Sequence, residues 1–137
     1  MPVAGIDAMF MAMLMEEGSR PWNPNLRNNN PLNLRDSPIA HQLDARKLCV
    51  FQTLTDGIQA GMRELHAKVT GRNEHGIGPD STLEQLYDVY APRSDHNNPN
   101  EYAEAVAAWC THALGRPITP QTKLRDVCRE LFPTEVK

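Results

Sequence analysis

At 137 residues the chain has room for one hydrophobic core and not for two independent ones. Hydrophobic residues at 40%, charged residues at 23% and a net charge of −3 exclude a disordered or membrane-embedded chain. The weak negative charge also argues against a dedicated nucleic-acid binder, which carries a basic excess or stripe. The polar side is unusual: eleven prolines and ten asparagines, most of them gathered into two short stretches.

In chain order, the apolar residues Ile6, Met9, Phe10, Met13 and Leu14 recur at helical spacing, which predicts an amphipathic helix from Val3 to Glu17, ended by Gly18 and Pro21. Ser19 to Pro38, rich in Asn, Pro and Arg, has no helical period and is expected to form a structured loop. Leu48 to Phe51 is a short apolar run suited to a strand or hairpin arm. After it, Thr55 or Asp56 can cap a helix carrying Ile58, Met62, Leu65 and Val69 inward. Ser81-Thr82-Leu83-Glu84 fits a capping box, opening a helix with Leu83, Leu86, Tyr87 and Tyr90 on one side. Asn98 and Pro99 fit the cap and first position of a helix that buries Tyr102, Val106, Trp109, Cys110 and Ala113 and closes at Gly115. A last helix is expected from a Thr119 cap to about Phe132. The fold class is therefore mainly α: a single domain, 1–137, of about five helices, with a long Asn/Pro-rich loop or small hairpin after the first.

Cys49, Cys110 and Cys128 are odd in number and widely spaced, and the five histidines are scattered, so no metal or other cofactor is implied. The apolar N-terminus lacks a basic flank and a cleavage site, and it carries Asp7. No run approaches the roughly 20 apolar residues that cross a bilayer. The chain is thus expected to be made in the cytoplasm without a signal peptide and without stable membrane insertion, and any action beyond it needs another route.

One residue breaks the pattern of the first helix. At about 100° per residue, with Ile6 as zero, the apolar side chains lie between roughly −60° and +80°, and Glu17 falls near +20°. Glu16, near −80°, lies at the edge of the stripe. A carboxylate in the apolar face, in the last turn where the helix dipole is negative, is expected to resist ionisation. A carboxylic acid held protonated beside a polar cleft is what a general acid for glycosidic cleavage requires. Two other readings of these residues stay open: a helix frayed by Glu17, and an ion pair with Arg20, Arg27 or Arg35. The asparagines of NNNPLNLR offer paired amide donors and acceptors for amino sugars, and Trp22 or Tyr90 could stack on a pyranose face. Asn and Pro also form turns with no ligand in view.

The strings EEGSR and LRNNNPLNLR, then VFQTLTDGIQAGMREL, then STLEQLYDVYAPRSDHNNPNEYAEAV, resemble a family of small lysozyme-like domains of phage and prophage proteins, related to lytic transglycosylases and in part known as phage structural proteins. The resemblance runs from about residue 6 to 115. It rests on Glu17-Gly18, Asn29–Arg35, Phe51–Thr53 with Gly57–Ala60, Tyr90–Pro92 with Asn97 and Asn98, and Tyr102–Val106. Leu32 departs from it, standing where the family has Gly in NNPGN, and a positive φ there would strain it.

The resemblance implies a lysozyme-like fold and cleavage of the β-1,4 bond between N-acetylmuramic acid and N-acetylglucosamine in peptidoglycan. Glu17 would act as acid and base, Tyr90 beside it, and Trp22, Asn30, Asn33 and Arg35 would line the sugar subsites, while Asn97 and Asn98 serve as helix caps. Asp36 and Asp44 are the candidates for a second carboxylate, which a hydrolase needs about 5 Å or about 6.5–9.5 Å from the acid. A lytic transglycosylase needs only Glu17. The alternative is a phage virion or peptidoglycan-binding component with the same fold and little catalysis, and a third reading is an intracellular helical interaction domain. The implied partners are glycan strands and virion components, and the implied place of action is the cell wall or periplasm, reached through phage or other export or as part of a virion.

Overall fold

The computed structural model describes residues 3–18, 29–30, 32, 34, 37, 39–44, 48–90 and 98–133. Among them the protein is mainly helical, with α1 (Gly5–Gly18), α2 (Leu54–Thr70), α3 (Leu83–Tyr90), α4 (Pro99–Leu114) and α5 (Leu124–Val127), the last followed by a 3-10 turn at Arg129–Leu131. One small antiparallel hairpin joins β1 (Gln42–Leu43) to β2 (Cys49–Val50), with Gln42 opposite Val50 and Leu43 opposite Cys49. The chain divides into two compact units, Met1–Ala12 with His66–Lys137, and Met13–Leu65.

In the first unit, α4 has the caps expected of it. The Asn98 side chain accepts the Glu101 N–H, Pro99 occupies the first turn, and Gly115 ends the helix in the left-handed region at φ 68°. The buried side of α4 is formed by Tyr102, Ala103, Val106, Ala107 and Cys110. The small Ala103 and Ala107 extend that arc to one side, so Trp109, on the other side of Tyr102 by roughly 20°, is 37% exposed instead of inward. Helix α3 buries Leu83, Leu86 and Tyr87, and its capping box sits one position later than expected. Thr82 Oγ1 accepts the Gln85 N–H at 3.2 Å, and Gln85 Oε1 accepts the Thr82 N–H at 2.9 Å.

The helix expected from Thr119 to Phe132 is cut to α5 and the 3-10 turn, and competition for hydrogen bonds explains why. In a continuous helix the Leu124 N–H would bond the Pro120 carbonyl; instead it donates to the Ser81 carbonyl at 2.8 Å. The carbonyls of Pro120 and Thr122 accept the Glu84 and Leu83 N–H groups at 2.9 and 3.1 Å. The start of α3 thereby gains partners for donors that a helix end leaves open, at the expense of the helix expected after Thr119. Arg116 closes the other end, donating to the carbonyls of Asp126 and Val127 at 2.7 and 3.1 Å. Gly5 of α1 approaches Val127 so closely that a Cβ would lie 1.8 Å from its carbonyl oxygen. The Cys128 thiol meets Met9 Sδ at 3.4 Å.

In the second unit the hairpin lies between α1 and α2 in sequence, as the apolar run Leu48 to Phe51 suggests. Helix α2 begins earlier than expected because Thr53 caps it: its Oγ1 accepts the Asp56 N–H at 3.1 Å. Along α2 the small Gly57, Ala60 and Gly61 take buried positions with Leu65 and Val69, while Ile58 is 38% exposed and Met62 only half-buried, against the expected inward placing. On α1 the buried arc includes Ala8 and Ala12 beside Ile6, Met9, Phe10 and Met13, whereas Leu14 is half-buried.

Candidate functional site

Glu17 stands in the last turn of α1 and is 7% exposed, whereas Glu16 beside it is half-buried. This is the order in which the helical angles rank them. The helix continues to Gly18, so Glu17 lies within it, not beyond a frayed end. No basic residue occupies that last turn to offset the helix dipole.

Two neighbouring asparagines, Asn29 and Asn30, have different tasks. Asn29 adopts φ 53°, in the left-handed region that Asn tolerates better than other side chains do. Its Nδ2 donates to the carbonyls of Phe51 and Gln52, at 3.0 and 3.3 Å. Asn30 is 0% exposed and reaches inward. Its Nδ2 donates to the carbonyls of Leu34 and Cys49, both at 2.9 Å, and its Oδ1 accepts the Leu34 N–H at 2.8 Å. The Leu34 carbonyl in turn accepts the Cys49 N–H at 2.8 Å.

This pattern completes the hairpin on its second side. The carbonyls of Leu48 and Val50 serve the β1 side, accepting the N–H groups of Asp44 and His41 at 2.8 Å each. Cys49, between them, offers its N–H and C=O to the opposite side, where a third strand would lie. Leu34 and the carboxamide of Asn30 take those two groups. Asn30, expected at a sugar subsite, is placed as a structural amide: its side chain is buried and both of its N–H donors go to backbone carbonyls.

Leu32 is 2% exposed and is absent from the positive-φ positions, so it is a core side chain without the strain that a positive φ would bring. Among the described residues, the non-glycine position in the left-handed region is Asn29, three positions earlier. The signal for it was present as an Asn in a turn-forming run, but three consecutive asparagines do not say which one takes the conformation. Asp44 Oδ1 accepts the Leu48 N–H at 3.0 Å and so closes the hairpin turn. Trp22, Asn33, Arg35, Asp36, Pro92 and Asn97 lie outside the described residues.

Tyr90 belongs to the first unit and is half-buried at the end of α3. Its ring stands edge-on to Tyr87 at 6.0 Å and to Tyr102 at 5.9 Å, and those two rings lie 4.7 Å apart. The trio joins α3 to α4.

All three cysteines are buried. Burial pushes the Cys110 thiol up to about 11, and burial together with the Glu130 carboxylate pushes Cys128 higher still. Such thiols are poor nucleophiles at neutral pH. Among the described residues, no cluster of three or more His, Cys, Asp or Glu side chains is arranged to hold a metal ion, and no helix is long and apolar enough to cross a membrane. No protein-family model, curated protein or solved structure matches the chain.

Proposed function

We propose that the protein is a peptidoglycan-cleaving glycosidase acting on the β-1,4 bond between N-acetylmuramic acid and N-acetylglucosamine, with Glu17 as general acid and then base. The observation that carries this reading is the burial of Glu17 at the C-terminal end of α1, directly ahead of the Asn-rich loop. In this role the carboxyl must carry a proton before cleavage. That is the form able to protonate a leaving glycosidic oxygen.

In the transglycosylase form the Glu17 proton passes to the glycosidic oxygen as the bond to the muramic C1 breaks. The carboxylate then takes the proton of the muramic 6-hydroxyl while that oxygen bonds to C1, leaving a 1,6-anhydro end and consuming no water. For a hydrolase the second carboxylate would be Asp36, which lies outside the described residues, or Asp44, whose Oδ1 accepts the Leu48 N–H at the hairpin turn. Trp22, Asn33 and Arg35 are the proposed sugar contacts, and the cell wall, reached by phage-type export or from a virion, is the proposed place of action.

A zymogram on purified cell wall, comparing wild type with Glu17→Gln, tests the reading. Clearing by the wild type and its loss in Glu17→Gln is the expected result; clearing that survives the substitution overturns the role of Glu17. Glycan binding by both forms with no clearing by either replaces the enzyme with a virion or wall-binding component. Mass spectrometry of the products is expected to find anhydromuramyl ends, and reducing ends would identify a hydrolase instead.

A further inference from the structure

We draw no further inference here: the strongest candidate, the exposed apolar surface patch on α1 at Met11 and Met15, is an unpartnered helix face, and nothing in the structure shows what covers it.

Discussion

Glu130 and Ile6 are separated by 124 positions in the chain, and Glu130 Oε1 accepts the Ile6 N–H at 2.8 Å. The 3-10 turn that replaces the end of the expected last helix thus supplies the cap for the first, setting a carboxylate against the positive end of α1. Glu130→Ala is expected to destabilise the protein by about 1 kcal/mol, in the range of a lost N-terminal cap. In thermal unfolding followed by circular dichroism this is a fall in Tm of roughly 2–8 °C. An unchanged Tm would show that solvent caps α1 equally well.

Gly5, beside that cap, has a stricter requirement. A Cβ there would lie 1.8 Å from the Val127 carbonyl oxygen and 2.6 Å from its carbon, and backbone cannot swing aside as a flexible side chain can. Gly5→Ala is therefore expected to cost about 2–4 kcal/mol despite the better helix propensity of Ala. Urea unfolding reads this as a lowered midpoint, and a more stable variant would refute the close approach.

The buried thiols make stability depend on alkaline pH. Cys110 titrates from its ordinary 9.0 up to about 11 in the folded protein because burial disfavours the thiolate, and Cys128 is shifted in the same direction. The unfolded chain loses these protons first as pH rises. The stabilisation is therefore complete below pH 9.0 and is lost on the way up through about 11. Urea midpoints from pH 8 to 11 are expected to fall more steeply for wild type than for the Cys110→Ala/Cys128→Ala protein. Equal slopes would mean that the thiols play no part.

The tyrosine trio separates ring from hydroxyl. Tyr90→Phe preserves the edge-on contacts with Tyr87 and Tyr102 and is expected to leave Tm within a few degrees, whereas Tyr90→Ala should lose about 1–3 kcal/mol. If the hydroxyl acts in cleavage, as the family resemblance implies, Tyr90→Phe loses rate on purified cell wall at an unchanged Tm. Full activity in Tyr90→Phe would confine Tyr90 to packing α3 on α4.

The candidate site was partly legible before any coordinates. Glu17 stands out because a carboxylate at an apolar position is an exception within a period of 3.6 residues, and that exception needs only the helix to be recognised. Asn30 could not be assigned in the same way. An amide serves a sugar or a backbone with the same donors and acceptors, and the choice depends on Cys49, nineteen positions away, having an open strand edge.

The same division runs through the fold. The sequence by itself determined α4 with both its caps, the existence of α1, the mainly α class and the short strand at Cys49, because caps, prolines and hydrophobic periods act within one or two turns of chain. Only the tertiary structure decided that Leu124 bonds Ser81 and not Pro120, that Glu130 caps Ile6, that small residues displace Ile58 and Trp109 from the buried faces, and that Asn30 completes the hairpin. In each of these a backbone group or a helix face had two partners of similar strength. Which one it took depended on a segment distant in sequence coming within hydrogen-bonding or packing reach.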